Sequence, residues 1–269
     1  MRLNFISGLP RSGTTLLSAI LRQNAHIHAG ITTALASMIL FNLNLMSPKN
    51  EFFYDFDAKR RKAVLEGLAK SFYADINYEY VFDTNRMWAG AQAIIREVFP
   101  ESKIIVCVRA IEEIVGSFQS IYERNPLEPS GIYNYESKLN IFQRTNILMG
   151  PEGPIGMALG NLRDLCNNNF SQSNVLMVRY DSLVGEPDNT LSIIYDFIGI
   201  AHFKHNFSQV NFSTDIYDRR IGVPGLHSIS GGVRPKVRHS SLPHEIHAAV
   251  SKLTFWEDPA FKMSGIRII

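Results

Sequence analysis

The strongest restriction on the fold of this chain comes from a short loop near the amino terminus, GLPRSGTT at residues 8–15. The stretch at 3–6 before it reads as a strand, and apolar residues at helical spacing follow it over 14–23. A strand, a glycine turn and a helix N-terminus in this order direct backbone N–H groups and the positive end of the helix at one point. We therefore expect a parallel α/β fold that holds an anion at this loop.

The loop has the glycine spacing of a Walker A motif but lacks the lysine of that motif. In nucleoside triphosphatases this lysine follows the second glycine and reaches the β- and γ-phosphates, whereas here the position is Thr14. Arg11 is the only cation of the loop sequence. The loop therefore suits a 5′-phosphate better than a triphosphate. The alternative interpretation is a plain glycine turn with incidental serine and threonine.

Alternating strand and helix patterns continue along the chain. Further strands are predicted at 79–83, 103–108 and 174–178, and helices at 61–73, 88–98, 111–122 and 189–198. This alternation predicts the α/β class, with a P-loop-NTPase-like parallel β-sheet flanked by helices on both faces. Without a repeat or a long polar linker, residues 1–269 are predicted to form a single domain. From about residue 202 turn residues dominate, and this part is expected to wrap over the ligand edge of the sheet.

A second anion site is predicted after the strand at 103–108. Arg109 follows that strand at its carboxyl end, the edge where open parallel sheets bind ligands. Ser117 lies on the inward face of the next helix, where its hydroxyl needs a polar partner. One phosphate bound by both side chains would meet that need. Each residue alone has a common alternative: a surface ion pair for the arginine, and a bond to the helix backbone for the serine.

Charge and cysteine content narrow the functional classes. The chain has 27 basic and 25 acidic residues, a balance that argues against nucleic acid or an anionic membrane as the main partner. Cys107 and Cys166 form neither a disulfide framework nor a metal-ligand pattern, so no metal and a reducing cytoplasm are expected. The apolar stretch at 31–46 is short for a membrane span and favours a core or pocket-lining helix. The immediate start of strand-like sequence argues against a signal peptide.

The loop at 8–15 resembles the 5′-phosphosulfate loop of the sulfotransferase superfamily, in the Pro-Arg-Ser-Gly-Thr-Thr form of tyrosylprotein and many bacterial sulfotransferases. Elsewhere in that superfamily a lysine stands at the position of Arg11. The resemblance implies 3′-phosphoadenosine 5′-phosphosulfate (PAPS) as donor and adenosine 3′,5′-bisphosphate (PAP) as product. It assigns the 3′-phosphate to Arg109 and Ser117. The residues that it assigns to the 5′ side are Pro10, Arg11, Ser12, Gly13, Thr14 and Thr15.

Two later parts of the chain extend the resemblance. Tyr180 follows the strand at 174–178 and is expected near the adenine or the 3′-phosphate, with a half-buried strand tyrosine as an equal alternative. The segments at 225–228 and 232–236 resemble a late basic loop that folds over the cofactor in bacterial relatives. A solvated basic loop is the competing interpretation. The cofactor-binding candidates of these segments are Ser228, Arg234 and Lys236.

The segment at 82–88 resembles a bacterial sulfotransferase segment with one change. Thr84 replaces a lysine that relatives place beside the transferred sulfuryl group, so Arg86 is expected to supply that charge. The glutamate base of tyrosylprotein sulfotransferases has no counterpart at 29–33. An ion pair with Arg86 is the structural alternative for Asp83. The candidates for the catalytic base, in order of preference, are Asp83, His227 and His26.

Together these features predict a sulfotransferase that moves a sulfuryl group from PAPS to a hydroxyl or amine acceptor and releases PAP. Two alternatives stay open: a catalytically inactive nucleotide-binding homologue, and a P-loop small-molecule kinase with a Walker B-like strand at 80–83. The acceptor class is open among small molecules, sugars, lipids and peptides, and so is the oligomeric state. The segments at 31–54 and 125–160 are expected to shape the acceptor site, because loops at the carboxyl edge of a sheet carry specificity.

Overall fold

The computed structural model describes residues 1–124, 126–127, 130–133, 140–167, 173–235, 242–259 and 265–269. Within these ranges six strands form one sheet, and every pair of neighbouring strands is parallel. Their order across the sheet is β2-β3-β1-β4-β5-β6. The strands are β1 Arg2–Gly8, β2 Ile27–Thr32, β3 Tyr80–Thr84, β4 Ile104–Val108, β5 Val175–Arg179 and β6 Arg267–Ile268.

Helices connect the strands and complete the chain. In the described ranges they are α1 Thr14–Leu21, α2 Leu35–Leu45, α3 Ala58–Phe72, α4 Gln92–Val98, α5 Ile111–Arg124, α6 Ile141–Met149, α7 Pro154–Asn167, α8 Tyr180–Gly185, α9 Pro187–Ile198, α10 Asp215–Arg220 and α11 His244–Ser251. Short 3-10 turns lie at Phe53–Asp55, Arg86–Ala89, Gly131–Tyr133 and Phe255–Glu257.

The sheet is buried on both faces, as strand β4 illustrates. Its residues are fully buried, and they alternate between two apolar clusters. Ile104 and Val106 belong to one cluster, and Ile105 and Cys107 belong to the other. A continuous β-branched run is stable in this position because helices cover the sheet on each side. The predicted α/β fold with a parallel sheet flanked by helices is confirmed.

The topology opens a crevice beside strand β1. From β1 the chain continues to β2 on one side, returns through β3, and then crosses to β4 on the other side. Ligands of open parallel sheets bind at such a reversal, outside the carboxyl ends of the strands. Gly8 ends β1 here with φ 135°, and a Cβ on it would lie 2.1 Å from the carbonyl oxygen of Cys107. Only glycine fits this position.

Strand β2 was not predicted from the sequence. Its last two residues, Ile31 and Thr32, fall in the region assigned to a single helix at 31–46, and helix α2 begins only at Leu35. As an edge strand β2 is only partly buried, so it has no continuous apolar run that would reveal it. The other elements that were not predicted are strand β6 and helices α6, α7, α8, α10 and α11.

Only part of the described chain after residue 202 reaches the carboxyl edge of the sheet, because helix α11 packs on α5 and strand β6 joins the sheet beside β5. Helix α10 and the segment at 221–234 supply residues to the wall of the crevice. No helix in the described ranges is long and apolar enough to cross a membrane.

Candidate active site

A cavity of about 620 Å³ lies at the carboxyl ends of the central strands. Its wall combines the loop after β1, the turn after β3, Arg109 after β4 and Tyr180 after β5. The late segment closes it with Tyr217, Leu226, His227 and their neighbours. The anion sites predicted from separate motifs therefore adjoin one cavity.

The loop between β1 and α1 is built around three residues in the left-handed region. Gly8 has φ 135°, Arg11 φ 61° and Gly13 φ 98°. Arg11 is the non-glycine residue among them, and such backbone strain is typical of functional sites. Gly13 precedes helix α1 without a side-chain cap, and the first turn contains no acidic residue. The N–H groups of this turn, which includes Thr14 and Thr15, are therefore suited to an anion in the cavity.

Pro10 lines the cavity, but the hydroxyl of Ser12 is directed into the protein. The Ser12 Oγ lies 2.5 Å from the carbonyl oxygen of Leu9 and 2.9 Å from that of Cys107, and the residue is fully buried. The side chain therefore fastens the loop to strand β4. Because the hydroxyl is used inside the protein, the backbone N–H is the donor with which Ser12 can bind a ligand.

Arg11 joins the two predicted phosphate sites. Its Nε donates to the Ser117 hydroxyl over 3.3 Å, and its Nη1 donates to the carbonyl oxygen of Leu226 over 2.6 Å. Ser117 is buried and does not line the cavity, and its hydroxyl contacts a cavity residue through the bond to Arg11. One guanidinium thus connects the loop, helix α5 and the late segment.

Arg109 is buried beside the loop and lines the cavity. Its guanidinium carbon lies 4.1 Å from the ring centre of Tyr180, and its Nε donates to Glu113 over 2.6 Å. Tyr180 also packs against the loop, because a Cβ on Gly13 would lie 2.9 Å from its ring. Tyr180 therefore contacts residues of both predicted anion sites, Arg109 and the loop at Gly13. Glu113 is a partner of Arg109 that the sequence did not reveal.

Arg86 and Thr84 line the cavity on the side of strand β3. The described residues form no ion pair with the Arg86 guanidinium, and burial lowers its pKa. Guanidinium nevertheless stays protonated in proteins. The Ser7 hydroxyl donates to the Arg86 carbonyl oxygen over 3.2 Å, which fixes the backbone of the turn. Arg86 is thus a largely buried cation that faces the cavity.

Asp83, the preferred base candidate, is buried and does not line the cavity. Its carboxylate accepts hydrogen bonds from Tyr73, from Thr33 over 2.5 Å and from Trp88 over 2.6 Å. Burial raises the pKa of Asp83, and the three donors oppose that shift. Arg86 is not among these partners, so the ion pair considered for Asp83 is not formed. Its geometry is that of a structural carboxylate.

His26, the third base candidate, lies at the opposite edge of the sheet. It directly precedes strand β2, whereas the cavity lies beyond the carboxyl ends of the strands. Its side chain is exposed, and its ring lies 3.8 Å from Glu79. The structure therefore does not bring His26 near the predicted anion sites.

His227 is the base candidate that lines the cavity. Its Nδ1 lies 2.6 Å from Oδ1 of Asp218, and its backbone N–H donates to Oδ2 over 2.8 Å. Burial lowers the pKa of His227, Asp218 opposes this shift, and Arg11 and Arg86 add to it. Asp218 was missed from the sequence because its spacing to His227 matches no local motif.

The remaining predicted residues lie in the late segment. Ser228 and Arg234 line the cavity and are exposed, whereas Lys236 lies outside the described residues. Among the described residues, no three His, Cys, Asp or Glu side chains form a group that could hold a metal ion.

Part of the cavity lining is apolar, and both segments expected to shape the acceptor site contribute to the lining. The apolar lining includes Ile31, Phe118, Ile132, Ile147, Met157 and Ile221. Glu152 is the one carboxylate among the described lining residues.

Comparisons with known proteins identify the family and the fold of this chain. Residues 5–204 match the family model described as the sulfotransferase family. Mouse sulfotransferase SULT7A1, solved in complex with PAP, has a TM-score of 0.57 at 16% identity, over 98% of this chain and 87% of that one. The sulfotransferase domain of the curacin biosynthetic pathway has a TM-score of 0.53 at 18% identity, over 93% and 91%.

A third structure has the same fold. The sulfotransferase domain of the Synechococcus PCC 7002 olefin synthase has a TM-score of 0.52 at 16% identity, over 96% of each chain. At these identities the likeness concerns the fold alone. The family model, in contrast, extends from within β1 to beyond α9. The chain belongs to the sulfotransferase family.

Proposed function

We propose that this chain is a PAPS-dependent sulfotransferase whose acceptor is an apolar alcohol or phenol. The observation that carries the proposal is the charge of the cavity wall. Four arginines line it, against one carboxylate, Glu152, among the described lining residues. The helix N-terminus behind Gly13 adds further N–H donors. This wall suits a ligand with several negative groups, such as a nucleotide that carries phosphate at both ends.

The residues of the chain fit PAPS in two groups. The N–H groups of residues 12–15 and the Arg11 guanidinium are proposed to hold the 5′-phosphosulfate, with Pro10 and Gly13 shaping the loop. Arg109 is proposed to hold the 3′-phosphate, with Ser117 acting through its bond to Arg11. The phosphate must then share the Arg109 guanidinium with Glu113.

The edge of this site consists of three further residues. Tyr180 offers its ring beside the adenosine position, and Arg234 and Ser228 are proposed to cover the cofactor from the late segment. Lys236 is retained with them as a proposal from the sequence. The fold neighbour SULT7A1 was solved with PAP, which supports the same ligand class for this chain.

When bound, PAPS supplies the sulfuryl group. The side chains of this protein stabilise the developing negative charge and take up the proton of the acceptor. Arg11 and Arg86, which both line the cavity, are proposed to oppose the negative charge that develops as the 5′-phosphate leaves. Donors fixed in advance at such a position commonly contribute the largest single part of catalysis. His227 is proposed as the base that takes the proton of the acceptor hydroxyl, in place of Asp83 and His26. No step in this scheme needs a metal ion.

The proposed acceptor class rests on the apolar lining of the cavity. Six of its residues are aliphatic or aromatic, and they would leave most hydroxyls of a sugar without hydrogen-bond partners. Glu152 would repel an acidic acceptor. An acceptor with one hydroxyl and an apolar body would pack its apolar part against these residues and present its hydroxyl to His227.

Two features weigh against the kinase alternative. Thr14 occupies the position of the lysine on which phosphoryl transfer in P-loop folds relies. Asp83, the Walker B-like residue, is saturated by three hydrogen bonds inside the protein. The inactive-homologue alternative differs from our proposal in turnover alone.

The proposal is tested with radiolabelled PAPS and a panel of phenols, sterols, fatty alcohols, sugars and peptides. We expect labelled product from phenols or apolar alcohols, with an equal amount of PAP. Arg22→Ala serves as matched control, because this exposed arginine at the end of α1 lies over Phe212, outside the cavity. PAP binding without transfer to any acceptor would favour the inactive homologue. Phosphoryl transfer from ATP and Mg²⁺ would favour the kinase.

A further inference from the structure

Asp218 is a fully buried carboxylate whose oxygens both bind one residue. Oδ1 lies 2.6 Å from Nδ1 of His227, and Oδ2 accepts the His227 backbone N–H over 2.8 Å. The two residues are nine positions apart, one in helix α10 and the other in the segment that follows. Two bonds from one rigid carboxylate fix the orientation of the ring as well as the position of its backbone.

This contact also determines which ring nitrogen carries the proton. A carboxylate only accepts hydrogen bonds, so the proton of a neutral ring must reside on Nδ1. Nε2 is then left with its lone pair. In the described ranges no hydrogen bond reaches Nε2, and the residue lines the cavity. The ring therefore has the tautomer that a proton acceptor needs.

The surroundings of the ring oppose its charged form. The charged and titratable groups that face it are Asp218 and Tyr217 of α10, Arg11 of the loop and Arg86 of the turn after β3. Burial and both arginines lower the pKa of His227, and this outweighs the opposite effect of Asp218. The imidazole is consequently neutral near pH 7.

We infer that Asp218 is a positioning residue: it locks His227 in the Nδ1–H tautomer, so that Nε2 receives the proton of the acceptor hydroxyl. In this step the acceptor O–H bond breaks, the Nε2–H bond forms, and Asp218 stabilises the resulting imidazolium. The inference rests on the proposed function for the identity of the acceptor. Both residues lie after 5–204, the range that the family model matches, so the match to the family does not include them.

The first test is Asp218→Asn. The amide oxygen can still accept the His227 backbone N–H, but the amide NH₂ then faces Nδ1 and drives the ring proton to Nε2. We expect kcat to fall by about 10²–10⁴-fold, the usual worth of general acid–base catalysis. The KM for PAPS and the affinity for PAP should stay unchanged. Removal of the carboxylate should also move the acidic limb of the kcat/KM profile to lower pH, because Asp218 raises the pKa of His227.

The matched control is Asp196→Asn. Asp196 forms a similar pair with His202, with 2.7 Å between the carboxylate and the ring, but both side chains are largely exposed. Its substitution should change neither kcat nor the pH profile. If Asp218 has only a structural role, Asp218→Asn would lower the stability but leave kcat and the pH profile of the folded variant as in the wild type. That result would overturn the inference.

A second measurement needs no variant and no acceptor. Nitrogen NMR of the histidine-labelled wild-type protein should show a protonated Nδ1 and an unprotonated Nε2 for His227 at pH 7. The reverse tautomer, or a charged ring, would overturn the inference even if sulfuryl transfer is observed. If transfer is absent but the expected tautomer is found, the proposed function and the proton transfer to Nε2 fail, whereas the control of the His227 tautomer by Asp218 stands.

Discussion

Arg11 is the residue that connects the loop after β1 with two other parts of the proposed site. Its backbone adopts φ 61°, and its side chain reaches both Ser117 and the carbonyl oxygen of Leu226. A charged group on a strained loop with bonds to two other elements is held rigidly, and rigid donors stabilise developing charge without further reorganisation. The sequence singled out this residue because it is the only cation between the two glycines.

We predict that Arg11→Ala lowers kcat for sulfuryl transfer by about 10²–10³-fold, the usual cost of one such donor. Arg11→Lys should restore part of the loss because it keeps the charge. The measurement is single-turnover transfer at saturating PAPS, with Arg22→Ala as control. Near-normal turnover of Arg11→Ala would contradict the role given to this residue.

Asp83 shows how the same residue type takes a different role when it is buried. Its three donors, Thr33, Tyr73 and Trp88, tie strand β3 to the elements around it. We predict that Asp83→Asn lowers the free energy of unfolding by about 1–3 kcal/mol, because the amide keeps one acceptor oxygen where the three donors use both carboxylate oxygens. Urea unfolding gives the stability, and calorimetry should give an unchanged PAP affinity. Unchanged stability with lost turnover would instead mark Asp83 as the base.

At the scale of elements, the unit formed by β1, the loop and α1 was predictable because its constraints are local. The end of β1 packs so closely on β4 that a side chain at Gly8 would collide with the Cys107 backbone. Two glycines around a short loop, an apolar strand before it and a helical pattern after it can be recognised without knowledge of the rest of the chain. Strand β2 was not, because an edge strand that contains His28 and Gly30 has no continuous apolar run.

Gly8→Ala tests the packing of this unit. We predict a loss of at least about 1–3 kcal/mol in the free energy of unfolding, because an alanine at φ 135° is strained and its Cβ meets a carbonyl oxygen. Gly30→Ala is the matched control, since a Cβ there has no atom within 4 Å. Thermal unfolding of both variants provides the comparison. Equal stability of the two would contradict the close contact between β1 and β4.

At the scale of the whole molecule, the fold brings together arginines that lie far apart in the sequence. Arg11, Arg86 and Arg109 follow three different strands, and the parallel sheet brings them to one cavity. The sequence predicted these three because each follows a strand or a recognisable motif. It could not predict Glu113 as a partner of Arg109, or Asp218 as a partner of His227. The Arg109–Glu113 contact has the local i,i+4 spacing, but that spacing alone does not separate an ion pair from a phosphate ligand. The Asp218–His227 contact depends on how helix α10 packs against the segment that follows it.

The central claim, a cavity for a nucleotide with phosphate at both 3′ and 5′ positions, is tested most directly by calorimetric titration with PAP, AMP and ATP–Mg²⁺. We predict that PAP binds about 10–100-fold more tightly than AMP, since a hydrogen bond to a charged group contributes roughly 1.5–3 kcal/mol. Arg109→Ala should remove that difference and leave AMP binding as it was. Equal affinities for PAP and AMP, or a preference for ATP–Mg²⁺, would contradict the account.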